Sequence, residues 1–166
     1  MHTRVVKPRH GPEMLVRPLS RGDTATVLAV FERLGEESRR ARFNGPKGRL
    51  GEEELRRLAA VGPSHHALVA WVDGDPEPIA IARLVRGGDT AEIAFAVADA
   101  YQGLGIGSAL AGLLVADARA AGVREVTALV RSDNPAALAL LRRVLGRLEL
   151  RLEGPELLVR APLTGC

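Results

Sequence analysis

"YQGLGIGSAL", Tyr101–Leu110, sets glycines at positions 103, 105 and 107, immediately ahead of a run of helix formers. A strand, a glycine-rich turn and a helix make an anion cradle, because backbone N–H groups at the helix start converge on one point and the helix dipole adds attraction. Three known designs compete with a simple surface turn. A P-loop needs Lys followed by Ser or Thr after its last glycine, whereas Gly107 is followed by Ser108 and Ala109. A dinucleotide fingerprint needs a small residue at its third glycine position; with Gly105 as the first glycine that position is Leu110, and with Gly103 it is Ser108. The first design fails and the second fits poorly, and on the glycines alone a surface loop making a tight turn stays ahead.

The 166 residues are enough for one domain with one core. With 46% hydrophobic but only 3% aromatic residues, that core is aliphatic. A lone cysteine, Cys166, excludes an internal disulfide and fits a cytoplasmic setting; as the last residue it reads as a frayed end and not as a nucleophile. No apolar run approaches the ~20 residues of a membrane span, and the basic start "MHTRVVKPRHGPE" lacks the apolar centre of an export signal. The net charge of +3 favours anionic partners. Its basic pairs (Arg39/Arg40, Arg56/Arg57, Arg142/Arg143) are scattered and have no aromatic platform, so they read as solvated faces and no nucleic-acid partner is expected.

Ordered structure is expected to begin with the strand "MLVRPL", Met14–Leu19, after a short basic tail over 1–13. A helix capped by Asp23 or Ser20 follows, with Val27, Val30, Phe31 and Leu34 at helical spacing. Glu36 to Gly51 reads as a helix end and then a loop, and "EEELRRLAA" as a short helix with acids in its first turn. Two apolar strands, His66–Val72 and Ile79–Arg86, lead to "AEIAFAVAD". Its alternation puts Ile93, Phe95 and Val97 on one face and Glu92, Ala94, Ala96 and Ala98 on the other, so a carboxylate sits on a small-residue face suited to a cleft floor. Beyond the glycines, a helix runs to Gly122, "VTALVR" reads as a buried strand, and "SDNPAALALLRRVL" opens with a cap and an early proline. A closing hairpin is placed around Gly154 and Pro155.

Gln102, Gly105 and Gly107 supply a Q-x-x-G-x-G loop that resembles that of the GCN5-related N-acetyltransferase (GNAT) superfamily. "EIAFAVAD", the Tyr101–Gln102 pair and "DNPAALALL" extend the likeness, which runs from Leu15 to about Leu145. Within the superfamily, "VRPLSRGD", "FERLGEESRRARF" and "ELRRL" look like the catalytic domain of bacterial protein lysine acetyltransferases. The resemblance implies an α/β GNAT fold: a mixed sheet of about six or seven strands flanked by helices, splayed at an acetyl-CoA cleft, in one N-acetyltransferase domain over 14–166. It implies acetyl-CoA as cosubstrate, with the pyrophosphate in the loop and contacts from Phe95, Val97, Gln102, Gly103, Leu104, Gly105, Ile106, Gly107, Ser108 and Asn134. Asn134 is equally suited to cap its helix. A side chain at Gly105 or Gly107 is expected to stand where the pyrophosphate approaches.

The family transfers acetyl directly to an amine, so neither nucleophile nor metal is implied. A lysine amine of pKa ~10.4 costs roughly 4–5 kcal/mol to deprotonate at pH 7, which makes a base valuable. By resemblance that base is Glu92, acting directly or through a water, and the Val97 N–H is the donor to the developing oxyanion. One departure stands out. Many relatives place an acidic tyrosine seven residues after the helix-opening Asn, where this chain has Leu141. A thiol of pKa ~8.5 leaves as thiolate for only ~2 kcal/mol at pH 7, so the loss dents catalysis without excluding it.

A protein lysine is the favoured acceptor, because Arg39, Arg40, Arg42 and Lys47 suit an acidic protein face and repel polycationic amines. A small amine or antibiotic, and a non-catalytic acyl-CoA-binding module, remain the alternatives. The chain is expected to work as a monomer or homodimer.

Overall fold

The computed structural model describes residues 3–43 and 47–163; Cys166 lies outside them. The chain runs β1 (Arg4–Val6), β2 (Met14–Pro18), α1 (Thr24–Glu32), α2 (Glu36–Phe43), α3 (Glu52–Leu58), β3 (His65–Val72), β4 (Ala80–Gly87) and β5 (Thr90–Val97). A 3-10 turn (Asp99–Tyr101), α4 (Ile106–Ala120), β6 (Glu125–Arg131), α5 (Pro135–Leu145), β7 (Glu149–Glu153) and β8 (Glu156–Pro162) complete it. The strands form one sheet in the order β1-β2-β3-β4-β5-β6-β8-β7. Every neighbouring pair is antiparallel except β5 and β6, which α4 connects as a parallel crossover.

Alternation along β3 explains the two layers. Leu68, Ala70 and Val72 face a core shared with Ile106, Leu110 and Leu114 of α4, while Ala67 and Val69 face one shared with Val27, Val30 and Phe31 of α1. The sheet is thus covered on both sides, and each large aliphatic chain withdrawn from water contributes roughly 1.5–3 kcal/mol. In β5, Ile93, Phe95 and Val97 join the α4 side and Ala96 the α1 side, as the alternation requires.

Two readings of the sequence need correction. Ordered structure begins before Met14: β1 lies in the stretch read as a tail and pairs Val5 with Leu15 as an edge strand, the eighth of the sheet. Three residues are too few to show a periodicity. Glu36–Phe43 is a helix of its own and not the frayed end of α1, with Glu36 and Glu37 at its positive end and Arg40 and Arg42 at its negative end. It has no buried residue, so no apolar stripe marks it in the sequence. Local caps match expectation: Asp23 Oδ1 accepts from the Thr26 N–H at 3.0 Å, and Asn134 Oδ1 from the Ala137 N–H at 3.2 Å, with Pro135 starting α5.

Candidate active site

β5 and β6 pair only through Thr90–Glu125, Ala91–Val126 and Glu92–Thr127. Beyond that rung β5 stays bonded to β4 as far as Val97, and β6 to β8 as far as Arg131, but the two strands part. The result is a cleft of about 710 Å³ between their facing edges, with α2 on one side and α4 and α5 on the other. The Ala98 N–H donates to the Ile79 carbonyl of the β4 side at 2.8 Å. Because successive N–H groups of a strand point in opposite directions, the Val97 N–H is directed across the gap. The Val97 carbonyl points the same way and accepts from Gln102 Nε2 at 3.0 Å.

The glycine loop closes one end of this cleft. Gly103 and Gly105 take φ of +79° and +85°, left-handed values that side chains resist, and Gly105 is the N-cap of α4. The N-terminal stretch crosses the loop: the His10 N–H donates to the Leu104 carbonyl at 2.9 Å, and Arg9 and His10 line the cleft. Two of these glycines also meet protein neighbours closely. A Cβ on Gly105 would meet the Arg9 backbone N and Cβ at 3.1 Å, and one on Gly107 would meet Leu140 Cδ1 at 2.9 Å and Val97 Cγ2 at 3.5 Å. Gly107 therefore lets α4 approach α5 and β5, and Gly105 lets the N-terminal segment lie on the loop.

Of the expected cofactor contacts, Phe95, Val97, Gln102, Gly103, Gly105, Ile106, Gly107, Ser108 and Asn134 all line the cleft. Leu104 does not: its side chain packs on the α4-side core and beside Gly11. Glu92 is exposed and stands at the last β5–β6 rung, just before the lining begins at Ile93. Its carboxylate acts on the guanidinium of Arg42, whose pKa burial lowers and Glu92 partly restores. Behind Ala94, its rung partner on β4, Arg83 is 5% exposed and donates to the Leu58 carbonyl at 2.7 Å, with His65 Nε2 at 2.9 Å. Burial, then the Arg42 charge, lowers its pKa to about 9, so it remains a cation at neutral pH.

Leu141 is wholly buried in the core, and α5 turns Leu140 and Arg143 to the cleft instead. Tyr101 also lines the cleft, but its hydroxyl donates to Asp75 Oδ2 at 2.7 Å, outside the lining; that carboxylate raises the phenol's pKa and makes it a poorer acid. Arg143, read from the sequence as solvated, lies at the rim and donates to Ser108 Oγ at 2.9 Å. With Arg9, Arg40 and Arg131 it gives the cleft a cationic border. Of these, Arg40 is the one read from the sequence as part of the acceptor face; Arg9 and Arg131 reach the cleft by turns of the chain that no local motif encodes. Among the described residues no group of three or more His, Cys, Asp or Glu is placed to hold a metal ion.

A family model for the acetyltransferase (GNAT) family matches residues 31–146, spanning the loop, both splayed strands and α5. The chain belongs to the GNAT acetyltransferase family. This GNAT chain is 35% identical over 147 residues to the acetyltransferase Pat of Mycolicibacterium smegmatis, covering 86% of this chain and 43% of that protein. It thus spans less than half the length of that relative. The GNAT domain of S. lividans PAT superposes with a TM-score of 0.86 at 28% identity, covering 97% of each chain. In fold alone it is also similar to a Salmonella typhimurium structure solved with acetyl-CoA, with a TM-score of 0.64 at 21% identity over 91% of this chain and 94% of that one.

Proposed function

We propose that this GNAT chain transfers the acetyl group of acetyl-CoA directly to the side-chain amine of a protein lysine. The observation that carries the reading is the parting of β5 and β6 after Glu92–Thr127, which leaves unpaired strand edges leading to a left-handed glycine turn at the start of α4. An extended amide-bearing chain ending in a pyrophosphate fits such a gap, because strand edges pair with amides and the loop's N–H groups take the phosphates.

Acetyl-CoA supplies the reactive thioester. The Val97 N–H meets the negative charge that develops on the thioester oxygen, and Glu92 removes the amine proton, directly or through a water. Arg42 and Arg83 place positive charge behind the acceptor end and favour the neutral amine over the ammonium. Neither Tyr101, committed to Asp75, nor Leu141, in the core, is set to protonate the departing thiolate. The likeness to two Pat proteins and the exposed Arg40 at the rim support a protein acceptor with an acidic surface. Among the described residues no helix is long and apolar enough to cross a membrane, and the cytoplasm is the compartment we assign.

The test is CoA release from acetyl-CoA with a panel of acidic-faced proteins, lysine peptides, polyamines and aminoglycosides. Turnover on a protein, with acetyl-lysine found by mass spectrometry, is the expected result. Tight acetyl-CoA binding without turnover on any acceptor overturns the enzyme in favour of a binding module.

A further inference from the structure

Helix α2 roofs the cleft, with Glu37, Arg40, Ala41 and Arg42 among the lining residues, yet it has eight residues and buries none of them. So short a helix does not hold its own orientation in water. Phe43 packs edge-on to Phe31 at 5.7 Å and Arg39 stacks over the same ring, which anchors the helix to α1; toward the glycine loop its hold is polar and centred on Ser38. Ser38 Oγ donates to Asp99 Oδ1 at 2.6 Å and accepts from Gln102 Nε2 at 2.8 Å. The same Gln102 nitrogen donates to the Val97 carbonyl at 3.0 Å. Just ahead of α2, the Asp99 N–H donates to the Arg33 carbonyl at 3.2 Å, and a Cβ on Gly35 would collide with the Asp99 carboxylate. The turn before the glycine loop and the turn before α2 are therefore seated against each other.

We infer that Ser38 is a positioning residue that couples the acceptor side of the cleft to the cofactor loop. Gln102 opens the loop, touches the strand edge at Val97 and grips α2 through Ser38, so a loop stiffened by acetyl-CoA stiffens the helix above the acceptor. Gln102 thereby serves α2 as well as the loop, a role its place in the motif does not disclose. The inference rests on α2 bordering the acceptor end, as proposed above.

The test uses the full chain with Ser38→Ala and Ser38→Thr. By hydrogen exchange and mass spectrometry on the free protein, Ser38→Ala speeds exchange of the amides of Glu36–Phe43 about ten-fold and leaves α3 unchanged, while Ser38→Thr, which keeps the hydroxyl, restores them. Acetyl-CoA slows exchange in α2 of the wild type and does not in Ser38→Ala. In turnover, Ser38→Ala raises the KM for the acceptor several-fold and leaves the KM for acetyl-CoA within about two-fold. Unchanged α2 exchange in Ser38→Ala overturns the inference while leaving the acetyltransferase reading intact. Wild-type α2 indifferent to bound acetyl-CoA, or an equal rise in both KM values, overturns it too. An absence of acetyl-CoA binding overturns both.

Discussion

Glu92 and Thr127 form the last rung joining β5 to β6, and the cleft opens one residue further along β5. The Glu92 backbone is thereby fixed at the root of the splay. Glu92→Gln keeps the rung, since the backbone makes it, and removes the proposed base. Turnover at pH 7 is expected to fall about 10²- to 10⁴-fold with acetyl-CoA affinity near wild type. The deficit shrinks as pH rises, because free amine and hydroxide replace the lost proton acceptor. Full turnover by the variant at pH 7 removes Glu92 from the mechanism.

The two motif glycines, Gly105 and Gly107, separate in a way the motif does not foretell. Gly105→Ala must hold a left-handed φ of +85° and press on the Arg9 backbone, at a cost of about 1–2 kcal/mol for the conformation alone. Gly107→Ala presses first on the end of the Leu140 side chain, which can swing aside. Calorimetry is therefore expected to show a larger loss of acetyl-CoA affinity for Gly105→Ala than for Gly107→Ala. The reverse order contradicts the seating of Arg9 on the loop.

Below the loop, Asp75 ties α1 to the Asp99–Tyr101 turn. Hydrogen bonds from Arg33 at 2.8 Å and Tyr101 at 2.7 Å, helped by the Glu77 N–H, lower its pKa to about 2. A carboxyl whose folded pKa lies below its unfolded value, about 3.9, stabilises the fold fully above that value and ceases to as pH falls through the folded one. Asp75→Asn is accordingly expected to melt below wild type at pH 6, with the gap closing between about pH 4 and pH 2. A gap that persists at pH 2 means the carboxylate charge is not what holds the turn.

How much of this could be read beforehand depends on range. The loop Gln102–Ser108, the two faces of β5 and the Asn134 cap lie within single turns or strands, so spacing and residue type expose them. The approach of Ser38 to Gln102 spans 64 positions and rests on two side-chain hydrogen bonds, which leave no periodic trace. Arg143 looked like any exposed helix arginine because its place at the rim depends on how α5 packs across α4. Position 141 was legible as a missing tyrosine, but its burial follows only from the angle of that packing.

The acceptor end gives the last prediction, and the structure narrows it from four cations to one. Arg39 donates to the Gly48 carbonyl at 3.0 Å and stacks over Phe31 at 4.2 Å, which makes it a structural residue. Lys47 is paired with Glu54 at 2.6 Å, and Arg42 faces Glu92. Arg40 is exposed on the cleft side of α2, close enough to Asp133 to help Arg131 hold that carboxyl below the usual carboxylate range. Arg40→Glu should raise the KM for an acidic-faced protein several-fold and leave that for acetyl-CoA nearly unchanged. Because the group is exposed, the difference is screened and should fade as salt is raised toward about 0.5 M, where the Debye length is only a few ångströms. Arg39→Glu should instead lower the melting temperature, so the pair separates steering from folding. A polyamine or aminoglycoside that outpaces every protein in kcat/KM, and improves further with Arg40→Glu, replaces the protein lysine with a small polycationic acceptor, since only a cationic acceptor gains from removing that charge.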